Sequence, residues 1–93
     1  MVELKDKIAK LPGFPGVYKY MDAQGNIIYI GKAKNLKKRV SSYFTKKHEN
    51  RKTAVLVNQI VDLEFTVVDT EFDALLLENS LIKEFQPKFN INL

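Results

Sequence analysis

A carboxylate sits where an apolar helix face should be. In Leu75 to Phe85, LLLENSLIKEF, a rotation of about 100° per residue puts Ala74, Leu75, Leu77, Leu81, Ile82 and Phe85 roughly 140° to 300° from Phe72. Glu78 falls near 240°, inside that sector. Burying an unpaired carboxylate is costly, or it takes up a proton and becomes neutral. Three readings follow: the helix faces a cleft, Glu78 pairs with a buried Arg or Lys such as Arg39, or it binds a cation. Other reactive side chains accompany it. Arg39 and Tyr43 are one helical turn apart, and Tyr18 and Tyr29 lie on two apolar runs that flank a turn. Mg²⁺ is often held by one or two carboxylates, with water and substrate phosphates completing its shell. The set is therefore a candidate metal-dependent phosphodiester site. With no cysteine and a single histidine, His48, thiolate and two-histidine metal sites are excluded, so a metal would be held by oxygen.

The charge map supplies the phosphate. Residues 1 to 53 carry 13 of the 15 Lys and Arg and 4 of the 11 acids, a net of +9, and the remainder a net of −5. The densest run is Lys32, Lys34, Lys37, Lys38, Arg39, Lys46, Lys47, Arg51 and Lys52, with Glu49 as its one acid. A solvated helix face does not call for so few acids, and the apolar residues between these cations look core-directed rather than lipid-directed. Nucleic acid is the preferred polyanion, held through backbone phosphates that position it without reading sequence.

The elements that must hold these groups follow from periodicity. Residues 3 to 10 read as a short helix ended by the turn chemistry of Leu11 to Gly16. Gly16 to Tyr20 and Asn26 to Ile30 read as a β-hairpin around a four-residue loop, Asp22 to Gly25. That loop length pairs Tyr18 with Tyr29. Asn35 caps a helix carrying Leu36, Val40, Tyr43 and Phe44. Thr45 to Arg51 reads as a loop, Thr53 to Val61 as a second helix, and Leu63 to Val68 as a third strand. Thr70 starts the last helix, which ends before Pro87. The expected architecture is a single α/β (α+β) domain over 1–93, one three-stranded sheet with helices about it. No stretch reaches the length of a membrane span and no signal peptide is read, so a cytoplasmic protein is expected.

Gly16-Val17-Tyr18 and Tyr29-Ile30-Gly31, ten residues apart and followed by Lys32, Asn35, Leu36 and Arg39, resemble the GIY-YIG nuclease family, with Val for the central Ile of the first triplet. YIGKAKNLKKRVSSYF and ALLLENSLIKEFQPKFN are similar to its UvrC branch, the bacterial excinuclease subunits. The resemblance runs from about Pro12 to Asn92. It implies a central three-stranded antiparallel sheet and a DNA endonuclease that makes the 3′ incision beside a lesion in nucleotide excision repair. It also implies one Mg²⁺ or Mn²⁺ ion on Glu78 and an Arg39 that contacts the scissile phosphate. Tyr18 and Tyr29 would be the motif tyrosines, with Tyr29 orienting or deprotonating the attacking water, and Tyr43, Lys32 and Asn90 would match further positions near the site. Damaged double-stranded DNA and a UvrB-type subunit are the implied partners, the latter through regions outside this chain, which would be the N-terminal part of a longer protein. A noncatalytic basic nucleic-acid-binding domain is the alternative, and Glu78 separates the two, because a pure binder gains nothing from a carboxylate beside its phosphate site.

Overall fold

Asp22 sets the hairpin. Its carboxylate accepts from the amides of Gln24 (3.0 Å) and Asn26 (2.9 Å), and its own amide donates to the Asn26 carbonyl at 3.0 Å. Gly25 takes the left-handed conformation, φ 82, that the tight reversal needs. The structure is a computed structural model that describes residues 2–45, 47, 48 and 50–91. Its elements are α1 (Val2–Ala9), β1 (Gly16–Met21), β2 (Ile27–Ala33), α2 (Leu36–Thr45), α3 (Arg51–Gln59), β3 (Asp62–Val67), α4 (Glu71–Phe85) and α5 (Lys88–Ile91).

The expected pairing of Tyr18 with Tyr29 is not what forms. Asp22 itself pairs with Asn26, which moves the register by one, and a bulge between Tyr20 and Met21 moves it by one more. Tyr18 therefore faces Gly31, and Tyr20 faces Tyr29. Two single-residue shifts restore the side-chain parity, so all three tyrosines still share a face.

β3 pairs antiparallel with the other side of β1, giving the sheet order β2-β1-β3. One face carries Tyr18, Tyr20, Leu63 and, through the bulge, Ile28. These pack with Leu36, Val40, Tyr43, Leu56 and Ile60 under α2 and α3. On the other face Val17 and Ile30 pack with Ala74 of α4 and its neighbours Leu77, Leu81 and Ile82. The edge strand β2 is thus held between α2 and α4.

Local capping fixes the helix ends. The Asn35 side chain accepts from the Lys38 amide (3.0 Å), and Thr70 accepts from the Asp73 amide (3.1 Å). Gln86, left-handed at φ 46, ends α4 just ahead of Pro87. Asn50 accepts from the amides of Lys52 (2.8 Å) and Thr53 (3.3 Å), so α3 starts at Arg51, two residues before the expected Thr53. Arg51 accordingly belongs to a helix and not to the preceding loop. The third strand begins one residue early, at Asp62, and α5 was not expected at all. The apolar sector of α4 is only partly buried: Leu75 and Phe85 are 37% and 43% exposed. The part of the sector that is covered is the part that lies over β2 and β1. Among the described residues no helix is long and apolar enough to cross a membrane.

Candidate active site

Tyr18 and Tyr43 meet hydroxyl to hydroxyl at 3.1 Å, both buried. The Arg39 guanidinium donates to the same Tyr43 oxygen at 3.2 Å, and its Cζ lies 4.9 Å from the centre of the Tyr43 ring. Helical spacing makes this possible, since i and i+4 side chains lie together and α2 packs its Tyr43 face against β1. The Tyr29 ring completes the group at 6.3 Å from Tyr18 and 6.5 Å from Tyr43. Four sequence-predicted residues therefore converge from two strands and one helix.

One residue that holds this group was not singled out from the sequence. Tyr20, fully buried, stacks on Tyr29 (6.3 Å, 25°) and meets Tyr43 edge-on (5.2 Å, 82°). Its signal was present, because alternation along β1 puts it on the face of Tyr18. At Gly31 a Cβ would collide with the Tyr18 ring, so the glycine of the second triplet exists to let that tyrosine lie flat across β2.

Burial raises the pKa of Tyr18, and the neighbouring Tyr43 raises it further. Tyr29 is pushed up to about 12, by burial first and then by Tyr43, with Arg39 pulling it down and Glu78 adding to the rise. These are neutral phenols at neutral pH, and Glu78 is close enough to act on Tyr29 through its charge.

An open groove of about 600 Å³ adjoins the group across the end of β2. Lys32, Lys34, Lys38 and Arg39 line one part of it, and Glu71 and Ala74 of α4 another. Glu78 stands one turn beyond Ala74, partly buried, with no hydrogen bond or ion pair among the described residues. Pairing with Arg39 is thereby ruled out as its purpose. No three His, Cys, Asp or Glu cluster among the described residues, so an ion held by Glu78 would have one further protein carboxylate at most, with water and phosphate oxygens completing its shell. A second, smaller hollow of about 180 Å³ also uses Arg39, together with Tyr29, Tyr43 and residues of α3.

The remaining predicted residues separate. Lys32 and Lys34 are exposed at the end of β2, as are Lys37 and Lys38 on α2. Lys37 lines neither hollow. Lys47 is exposed between α2 and α3, Arg51 opens α3, and Lys52 lines the smaller hollow. Lys46 lies outside the described residues. Asn90 is engaged by the backbone: its Oδ1 accepts from the Ile30 amide (2.8 Å) and its Nδ2 donates to the Ile30 carbonyl (2.9 Å). These two bonds tie Asn90 to β2 between Tyr29 and Gly31. His48, given no role from the sequence, bonds through Nε2 to the Tyr43 carbonyl at 2.7 Å.

The chain is similar to known proteins in sequence and in fold. A protein of Bacteroides thetaiotaomicron named UvrABC system protein C is 59% identical over 90 residues, covering 97% of this chain. The protein of that name from Flavobacterium psychrophilum is 61% identical over 90 residues, again 97% of the chain. The chain spans about 15% of the length of these curated relatives. Among solved structures, the GIY-YIG N-terminal endonuclease domain of UvrC from Thermotoga maritima, bound to its catalytic magnesium, superposes with a TM-score of 0.84 at 37% identity. That match covers 96% of this chain and 97% of the other. The family model for the UvrC-like GIY-YIG domain matches residues 14–91, a span that runs from before the first tyrosine triplet to beyond Asn90. With the triplets, Arg39 and Glu78 all inside that span and on one fold, the chain belongs to the UvrC-like GIY-YIG family.

Proposed function

We propose that this chain is a divalent-metal-dependent endonuclease domain that hydrolyses a DNA phosphodiester, making the 3′ incision beside a lesion in bacterial nucleotide excision repair. The observation that carries the reading is a partly buried carboxylate, Glu78, that acts on Tyr29 through its charge and has no ion pair among the described residues, on a helix whose Glu71 and Ala74 line a cation-rich groove. That carboxylate fits a hard divalent ion, because an oxygen donor left unpaired beside lysines would otherwise repel the phosphate those lysines attract. The magnesium in the Thermotoga maritima domain supports the same assignment.

Bound there, the ion would supply Lewis acidity toward the phosphate oxygens. The chain's own residues do the rest. Arg39, fixed by Tyr43, presents positive charge where negative charge builds during hydrolysis. Its orientation costs little at the moment of reaction, because the hydrogen bond to Tyr43 and the packing over that ring already hold it. Tyr18 locks Tyr43 from below. Tyr29, with a pKa pushed up to about 12, is protonated at neutral pH and orients water through its hydroxyl. Removing a proton from that water would require the Tyr29 phenolate, which Arg39 favours and burial opposes.

DNA and the other components of the UvrABC system, including a UvrB-type subunit, are the proposed partners; the subunit contact would lie in the longer protein outside these residues. The test is nicking of duplex DNA with Mg²⁺ or Mn²⁺, in the intact repair complex with a lesion. Glu78→Ala and Arg39→Ala should each slow incision by about a hundredfold or more. Line broadening by Mn²⁺ near Glu78, lost in Glu78→Ala, reports the ion independently of turnover. Equal incision by the wild type and both variants would end the nuclease reading.

A further inference from the structure

Tyr43 is held at both ends. Its hydroxyl meets that of Tyr18 and accepts from Arg39. Its carbonyl lies in the last turn of α2, where no further helical amide is available to bond it. No Lys or Arg stands in that turn to serve it. The hydroxyls of Ser42 and Thr45 turn back instead to the carbonyls of Arg39 (2.6 Å) and Ser41 (3.0 Å). His48 takes the position: its Nε2 is 2.7 Å from the Tyr43 carbonyl oxygen, and its ring lies 6.3 Å from the Tyr43 ring, tilted by 43°. A carbonyl only accepts, so Nε2 carries the proton and donates, in the neutral ring and in the imidazolium alike.

We propose that His48 is a positioning residue for the reaction: by tying down the end of α2, it fixes the Tyr43 ring and hydroxyl against which Arg39 is oriented. The path is short. Helix ends fray, and Tyr43 stands two residues from the end of α2. A last turn that opened would carry the Tyr43 hydroxyl away from Tyr18 and Arg39 together. His48 acts through Tyr43 and touches no reacting atom. The inference rests on the endonuclease reading, and its test therefore includes a readout that needs no turnover.

A set of variants separates the donor from the ring. His48→Gln keeps an N–H donor at similar reach, His48→Phe keeps an aromatic ring without a donor, and His48→Ala keeps neither. In the intact repair complex with lesion-bearing DNA, at a temperature where every variant is folded, His48→Ala and His48→Phe should slow single-turnover incision about tenfold. DNA affinity should not change, and His48→Gln should recover most of the rate. In the chain alone, the guanidinium N–H signals of Arg39 should be sharp in the wild type and His48→Gln and broadened in the other two. His48→Phe as fast as the wild type, or His48→Gln as slow as His48→Ala, would overturn the proposal. So would Arg39 signals indifferent to all the substitutions, or rates that follow DNA affinity. A wild type that does not cut would end the endonuclease reading, and the Arg39 signals would still decide whether His48 steadies Tyr43.

Discussion

Gly31 and Tyr18 show how narrowly the reactive group is built. The Tyr18 ring occupies the space a Cβ at position 31 would need, so Gly31→Ala must displace either the ring or β2. Overpacking of a buried position costs about 1 to 3 kcal/mol, and the displacement would break the Tyr18–Tyr43 contact that steadies Arg39. Chemical denaturation and incision rate should therefore fall together in this variant. Tyr29 gives a second residue-scale prediction, with signs in both directions. Glu78 raises its pKa and Arg39 lowers it, so Glu78→Gln should bring phenolate absorbance in at lower pH and Arg39→Gln should delay it. Because the folded value, about 12, lies above the ordinary tyrosine value of about 10, the protonated phenol favours the fold. That contribution is complete below about pH 10 and is lost as pH rises through about 12. Tyr29→Phe should flatten the alkaline unfolding profile in that window; a profile identical to the wild type would show that Tyr29 is not held as described.

At the scale of elements, β2 is the part on which the site depends, and Asn90 is bonded to it. Asn90→Ala would release both backbone groups of Ile30 at the sheet edge, at a cost of about 1 to 3 kcal/mol. Asn90→Asp would keep the bond from the Ile30 amide and lose the one to its carbonyl. Hydrogen exchange at Ile30 should rise strongly in the first variant and weakly in the second, with Tyr29 and Gly31 loosened alongside. Slow exchange in both would mean that α5 holds the edge by packing alone. Sequence patterning recovered most of these elements, because strand alternation and helical spacing are local. It misplaced what depends on a single side chain: the Asp22 carboxylate that shortens the hairpin loop, the Asn50 cap that starts α3 early, and the four-residue α5 that Pro87 introduces. The Glu78 sector was legible as a contradiction, while its cover was not, since that depends on which strands lie under α4. Asn90 was assigned to the site from the resemblance, and only the folded chain shows its two hydrogen bonds to Ile30.

For the molecule as a whole, charge is divided as the chain is. The basic half supplies β2, α2 and the start of α3, and the acidic half supplies β3 and α4, so the groove sets Lys32, Lys34, Lys38 and Arg39 against Glu71 of α4. DNA bound in it releases the counterions of each phosphate that is neutralised, and log affinity falls with log salt by about 0.9 per contact. With Lys32, Lys34, Lys38 and Arg39 lining the groove, a slope of roughly −4 is expected from those contacts. Lys38→Ala should reduce the slope by about 1 and weaken binding to all sequences alike. Lys83→Ala, on the exposed side of α4, should leave it unchanged. Fluorescence anisotropy with a short duplex over a range of salt measures all three proteins. A slope near zero, or one that Lys83→Ala alters as much as Lys38→Ala does, would place the DNA somewhere other than the groove and separate the carboxylate on α4 from the phosphate it is proposed to serve.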